Sequence, residues 1–309
     1  MHFKVLRRYA NVVGALLVNV HIHFKGIIIV YYPELGGAID DQIPSQFARA
    51  RTTLASFACT LIKQLSNDGK DTVLSHGSGC FWRHNGDVFI LTARHVLTGR
   101  SPFDDTILSQ ENQYIPKRIT VFPTVTANPN AWLRQNLTVE INHDPPNFLQ
   151  DPEFDQLRTD IAALFLCHDE PAQICCLNDD NSIFGELFTL VGMDCSVVGY
   201  PTPHFSGLMV HIWKRGSIAL ETNLQLDRKP MFLLDANTSP GFSGSPVFRQ
   251  HFGPLPVLQD DSSIELKVDN VRTISFVGIY AGRLRHRHVG GEVPFVFYAN
   301  RIPRLFQQR

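Results

Sequence analysis

Gly241-Phe242-Ser243-Gly244-Ser245-Pro246 is the stretch from which the rest of the chain can be read. A nucleophilic serine needs its Oγ exposed on a tight turn, with backbone N–H groups facing a developing oxyanion. The glycines around Ser243 make such a turn sterically cheap, because glycine adopts backbone angles that other residues avoid. Pro246 ends the turn, and Val247-Phe248 re-enters a strand. Taken alone, the hexapeptide fits a Gly/Ser loop between two strands equally well.

Two earlier stretches supply what such a serine would need. Leu91-Thr92-Ala93-Arg94-His95-Val96-Leu97 places a histidine at the end of an apolar strand. A lone histidine there is more often a surface or core residue. Its imidazole, with an unperturbed pKa of about 6.5, nevertheless suits proton transfer at neutral pH once a serine partner exists. Thr159-Asp160-Ile161-Ala162-Ala163-Leu164 places a carboxylate at the edge of an apolar run. Aspartate in that position is ordinarily a turn or capping residue; beside His95 it would fix the imidazole tautomer and stabilise the imidazolium formed in the reaction.

Taken in order, T-A-x-H-V, D-I-A-x-L and G-x-S-G-S-P resemble the signatures of the chymotrypsin-like (trypsin-like) serine protease family, especially its compact bacterial branch. Supporting matches are Gly77-Ser78-Gly79-Cys80-Phe81, Val197-Val198-Gly199-Tyr200-Pro201 and Val277-Gly278-Ile279-Tyr280-Ala281-Gly282, the last falling where the family's substrate-lining strand should lie. The resemblance implies an all-β fold of two packed six-stranded antiparallel β-barrels with the cleft between them, a short C-terminal helix and an N-terminal extension. The corresponding division is an extension over 1–45, a first barrel over 46–185 carrying His95 and Asp160, and a second over 186–309 carrying Ser243 and the substrate pocket.

The implied reaction is peptide-bond hydrolysis through an acyl-enzyme on Ser243. His95 would take the serine proton and return it to the leaving amine, Asp160 would orient His95, and the N–H groups of Gly241 and Ser243 would form the oxyanion hole. Asn237, Thr238, Tyr280, Ala281 and Gly282 match the substrate-binding positions. The implied partner is a protein or peptide substrate, and no metal or organic cofactor is called for.

Departures from the family pattern carry information too. Digestive members place Asp just before the serine, where it pairs with a new N-terminus after zymogen cleavage; this chain has Phe242 and so lacks that switch. Val96 follows His95 where secreted enzymes have a disulfide-bonded Cys. At the pocket floor, where trypsins carry Asp, stands Asn237, so no buried counter-charge awaits an Arg or Lys side chain. Glutamyl endopeptidases share Thr238 but have His where this chain has Tyr280, which argues against an acidic preference. A neutral P1 side chain is the expectation.

Composition agrees with a globular enzyme. At about 150 residues per domain, 309 residues allow about two domains. Hydrophobic residues make up 44% of the chain, which excludes a disordered or collagen-like polymer. A net charge of −1 gives no general attraction to nucleic acid, which is not expected as a partner. Cys59, Cys80, Cys167, Cys175, Cys176 and Cys195 are scattered without a C-x-x-C pair, favouring small buried hydrophobes in a reducing, cytoplasmic compartment.

Lys4, Arg7 and Arg8 precede an apolar run from Val12 to Val20, the order of a signal peptide, but no small-x-small cleavage signal follows closely. The window to Tyr32 reaches membrane-spanning length yet holds Asn19, His21, His23 and Lys25, and a lysine near mid-span costs about 2.5–3.5 kcal/mol. Membrane contact through residues 1–32 is therefore open but not favoured. Gly36, Gly37, Asp40, Asp41 and Pro44 read as a linker.

Beyond the linker the pattern is one of many short strands. Leu54 to Ile62 fits a strand better than a helix, and Val73 to Trp82 and Val88 to Thr92 are joined by the hairpin signal Asn85-Gly86-Asp87. Residues 123–160 and 250–272 are mostly loop-like, apart from a strand at Thr138 to Ile141, and Pro303 interrupts a terminal helix over Ala299 to Phe306. The basic run Arg283-Leu284-Arg285-His286-Arg287-His288 reads as a solvated loop between strands; the alternative is that it borders the cleft just past Gly282 and attracts acidic residues flanking the scissile bond. Its histidines lack the further ligands a metal site would need. Cys167-His168 cannot act as a dyad, because neighbours on a strand face opposite ways. The rival to an enzyme is a silent or latent scaffold that binds a protein partner, motivated by Phe242 and by the long loops.

Overall fold

The computed structural model describes residues 20–23, 27–31, 56, 58–66, 72–109, 115–128, 131–134, 136–168, 174–179, 190–201, 211–221, 226–251, 255–258, 264–267, 273–285 and 292–307. Strands β1 (Val20–His23) and β2 (Ile27–Tyr31) pair antiparallel, and β2 continues onto a hairpin of β7 (Thr124–Asn128) and β8 (Ala131–Arg134), giving a sheet ordered β1-β2-β8-β7. Part of the presumed extension is thus strand. The β-branched run Ile27-Ile28-Ile29-Val30 suits extended backbone, and its register against residues 131–134 attaches it to the first half of the chain. The linker expected at 36–44 lies outside the described residues.

A curled seven-stranded sheet forms the first body. Its strands are β3 (Cys59–Leu65), β4 (Val73–His84), β5 (Asp87–Thr92), β6 (Arg118–Val121), β9 (Leu137–Glu140), β10 (Phe148–Gln150) and β11 (Ala162–His168), ordered β10-β11-β5-β4-β3-β6-β9. The β4–β5 hairpin turns at Asn85 and Gly86, both at positive φ (51° and 83°), as a tight turn matched to strand twist requires. β3 starts at Cys59, later than the sequence suggested. The region expected to be mostly loop over 123–160 holds β7 to β10 and a short helix over Phe154–Leu157. Of these, β9 matches the strand expected at Thr138 to Ile141; the others are short, and β7 and β10 are edge strands.

The second body is a closed barrel of β12 (Asp194–Gly199), β13 (Ile212–Ile218), β14 (Met231–Asp235), β15 (Pro246–His251), β18 (Thr273–Arg285) and β19 (Glu292–Tyr298), in the order β12-β13-β14-β19-β18-β15. A two-stranded ribbon of β16 (Leu255–Leu258) and β17 (Ile264–Lys267) occupies part of the other stretch expected to be loop. Pro256 is tolerated there because each strand of the two-stranded ribbon has a partner on one side only and is an edge strand.

One apolar cluster spans both bodies, joining Phe89, Leu91 and Ile161 to Val198, Phe248, Ile279 and Phe297. The chain end ties them together. A 3₁₀ turn over Ala299–Arg301 leads into a helix over Ile302–Leu305, and Phe306 packs edge-on against Phe89 of the first body at 5.1 Å. Pro303 sits in the first turn of that helix, where its missing N–H has no helical acceptor to lose, so it opens the helix and does not interrupt it. Arg301 donates from Nε to Oδ2 of the fully buried Asp151 at 2.8 Å, a pairing that offsets the cost of desolvating both charges. All six cysteines are free thiols, and all but Cys167 are buried. Among the described residues no helix is long and apolar enough to cross a membrane.

Candidate active site

His95 lies on α1 (Arg94–Thr98), a helix of little more than one turn that begins where β5 ends. Gly99 closes it at φ 66°, donating its N–H to His95 O at 2.8 Å. Asp160 precedes β11, the neighbour of β5, and the register Ala162↔Thr92 carries it to the same sheet end. Its carboxylate is wholly buried and has both oxygens occupied by one residue. Oδ1 accepts the His95 backbone N–H at 2.8 Å, and Oδ2 lies 2.5 Å from His95 Nδ1. An ionised carboxylate only accepts, so Nδ1 carries the hydrogen and Nε2 presents a lone pair.

Ser243 stands on the opposite wall, at the corner of a turn closed by Ser245 N–H donating to Phe242 O at 2.9 Å. Gly244 follows at φ 85°. A Cβ at Gly244 would fall 2.0 Å from Thr92 Oγ1 and 2.1 Å from Ser78 O, so only glycine lets the two bodies meet here. The turn is pinned to β18 as well, through Gly244 N–H to Tyr280 O and Tyr280 N–H to Ser245 O, both 2.8 Å. Within the turn, Phe242, Gly244 and Ser245 donate to backbone carbonyls, whereas the N–H groups of Gly241 and Ser243 have no acceptor among the described residues. Those two are the expected oxyanion donors, and Gly241 reaches its place at φ 97°.

Phe242 turns away from this surface. It is buried in the second barrel's core with Val197, Val247 and Tyr280. The bulky residue beside the serine is therefore a packing anchor. His95 and Ser243 line one cleft of about 190 Å³, together with Gln64, His76, Val96 and Gly241. No hydrogen bond joins Ser243 Oγ to His95 among the described residues, and in substrate-free enzymes that bond is commonly long. Burial, aided by nearby Lys63, holds His76 below the ordinary imidazole pKa, so it adds no charge to the cleft at neutral pH.

Ser78 has a role the sequence did not disclose. Its N–H donates to Ser243 O at 2.8 Å, and its Oγ donates to Gly241 O at 2.7 Å while accepting Tyr200 N–H at 2.9 Å. Thr92 Oγ1 donates to Ser78 O at 2.7 Å. One residue of the first body thus clamps both ends of the Gly241–Ser243 turn. The only sequence trace was the small-residue run Gly77-Ser78-Gly79, where a Cβ at Gly77 would come 2.8 Å from Val96 Cγ1. Ser78→Ala strands a buried Tyr200 N–H and is expected to cost about 1–3 kcal/mol of stability, read from urea denaturation. A change below 0.5 kcal/mol (about the noise of surface substitutions) would show that the clamp carries nothing.

The expected substrate-binding residues divide into two groups. Thr238 and Tyr280 are buried, their hydroxyls 2.7 Å apart, and burial pushes the Tyr280 phenol pKa up. Ala281 is buried beside them, and Gly282 adopts φ 134°. Asn237 is exposed and lines a second, larger cavity of about 560 Å³. Arg283, expected in a solvated loop, lines that same cavity. His286 and His288 lie outside the described residues, and among those described no three His, Cys, Asp or Glu side chains are grouped to hold a metal ion.

No curated protein matches the chain in sequence. Among solved structures it is similar to an HtrA-type protease, AlgW, in a structure with a tripeptide, at 15% identity and a TM-score of 0.46. That alignment covers 84% of this chain, which spans only 62% of the AlgW chain. Residues 77–255, running from the strand before His95 to beyond Ser243, match the trypsin-like peptidase domain, and over that majority of its length the chain belongs to the trypsin-like peptidase family.

Proposed function

We propose that this chain is a serine endopeptidase that hydrolyses peptide bonds through an acyl-enzyme on Ser243. The observation that most supports this reading is the buried Asp160, bonded twice to His95 on a cleft that Ser243 also lines. In the first half-reaction Ser243 Oγ attacks the scissile carbonyl carbon while its proton moves to His95 Nε2. The carbonyl oxygen, now anionic, receives the N–H groups of Gly241 and Ser243. His95 then hands the proton to the departing amine as the C–N bond breaks. Water repeats the sequence on the ester, with the same imidazole as base and then acid.

The Asp160 carboxylate keeps accepting from His95 Nδ1 and stabilises the imidazolium. The substrate is a protein or peptide, and the neutral Asn237 beside the pocket favours a neutral P1 residue. A fluorophosphonate probe tests the nucleophile directly. The intact chain is expected to label to near one equivalent and Ser243→Ala to remain unlabelled; an unlabelled wild-type chain between pH 6 and 9 would instead support a silent scaffold.

A further inference from the structure

Arg94 stands next to His95 at the start of α1, yet it does not line the cleft of Ser243. Its guanidinium reaches instead to the segment that leads into Asp160. Nε donates to Gln150 Oε1, at the end of β10, at 2.8 Å, and Cζ lies 4.0 Å from the centre of the buried Phe154 ring. Phe154 opens a short helix that Arg158 closes by donating its N–H to Phe154 O at 2.7 Å, and Asp160 follows two residues on. One side chain thus joins the stretch carrying the imidazole to the stretch carrying the carboxylate. The second body holds this seat from behind. Arg301 donates from Nε to Asp151 Oδ2 at 2.8 Å and from Nη2 to Glu153 Oε2 at 2.9 Å. The same Asp151 accepts the Glu153 N–H on Oδ1 and the Phe154 N–H on its backbone oxygen, both at 2.9 Å.

Arg94 is costly where it stands. Its side chain is only 13% exposed, its Nη1 has no hydrogen-bond acceptor among the described residues, and Asp105 Oδ1 is 3.9 Å away. Burial pulls the Arg94 pKa down, opposed by the carboxylates of Asp105 and Asp160. A methionine would fill the space without that cost, so packing alone does not account for the charge. Strand pairing explains what the charge is for. The β5–β11 ladder ends at Thr92↔Ala162, and both His95 and Asp160 lie beyond it.

We infer that Arg94 is a positioning residue for the His95–Asp160 pair: its guanidinium braces the two segments past the end of the ladder, and Arg301 anchors that brace from the second body. The inference rests on the peptidase reading and adds to it a residue that touches no reacting atom. Its contribution is geometric. Nε2 stays aimed at the serine only while the ring keeps its place, and a displacement of about 1 Å can cost about a hundredfold in rate. The planar guanidinium stacks on the Phe154 ring while its edge donates to Gln150, which a lysine ammonium cannot do together.

The test compares the full chain with Arg94→Met, Arg94→Lys and Arg301→Ala. The measurements are kcat and KM for one peptide, the urea midpoint, and the proton resonance of His95 Nδ1–H. In Arg94→Met, kcat is expected to fall by about tenfold to a hundredfold with KM within about twofold, because no substrate contact is lost. The Nδ1–H resonance should broaden or move upfield as the bond to Asp160 loosens. Arg94→Lys should stay within about threefold of Arg94→Met, since it keeps the charge but not the plane. Arg301→Ala should shift the resonance and kcat in the same direction by a smaller factor, and it decides the matter if Arg94→Met does not fold. A lower urea midpoint with wild-type kcat and an unmoved resonance would overturn the inference, because a purely structural residue changes stability alone. A loss confined to KM, or full recovery in Arg94→Lys, would overturn it as well. Absence of fluorophosphonate labelling in wild type would remove the peptidase reading, whereas the Nδ1–H resonance would still show by itself whether Arg94 holds the pair.

Discussion

Ser243→Ala is expected to lower kcat for a cleaved peptide by about 10⁶, and His95→Ala by nearly as much. The two losses should be alike because neither group works without the other. An unassisted hydroxyl is a weak nucleophile at neutral pH, and the imidazole contributes only by taking the proton that the attack releases. The double variant should therefore be no slower than the slower single variant. What persists, about 10³–10⁴ over water, belongs to the Gly241 and Ser243 N–H groups and to substrate positioning. The fold should not notice the serine change. The turn is held by the backbone bonds of Phe242, Gly244, Ser245 and Ser78, none of which uses the Ser243 hydroxyl. Steady-state rates with thermal unfolding midpoints check both halves. A double variant a further hundredfold slower than either single would mean that Ser243 and His95 act separately.

Sequence legibility followed how local each physical cause is. Asn85-Gly86 announces its hairpin because two successive positive φ angles can be supplied only by a few residues, and those stand side by side in the chain. Gly244 is legible for the same reason. The bonding of His95 to Asp160 beside a cleft that Ser243 also lines is not local, and composition or periodicity alone would never suggest it; the order of three signatures did. Phe242 misled because its neighbours in sequence belong to the serine signature whereas its neighbours in space are Val197, Val247 and Tyr280 of the barrel interior. Ser78 was missed for a related reason: it acts on Gly241, 163 positions away, and nothing beside it in the chain marks that duty. Pro303 shows the same limit in small: whether a proline interrupts a helix or opens it depends on where the helix starts, which the C-terminal docking of Phe306 helps to set.

Asp160→Asn, which alters one heavy atom, is expected to lower kcat by about 10⁴ at neutral pH while leaving the fold intact. The size follows from the two bonds that the carboxylate makes to His95. The backbone N–H of His95 can only donate, so the one oxygen left in asparagine is drawn to it, in the place Oδ1 now occupies at 2.8 Å. The amide NH2 must then face Nδ1, where Oδ2 stands at 2.5 Å. A donor there obliges Nδ1 to accept, which moves the imidazole hydrogen to Nε2, and an Nε2–H cannot take the serine proton. The wrong tautomer is thus selected by the backbone, with no movement of the ring. Asp160→Ala would remove both acceptors and leave a buried N–H unsatisfied, so it should cost more stability than Asp160→Asn yet leave the tautomer free. Nitrogen-15 shifts of the His95 ring distinguish the forms: hydrogen on Nδ1 in wild type, on Nε2 in Asp160→Asn. Retention of the Nδ1–H form together with wild-type kcat would show that Asp160 is a structural cap on α1 and no part of the catalytic machinery.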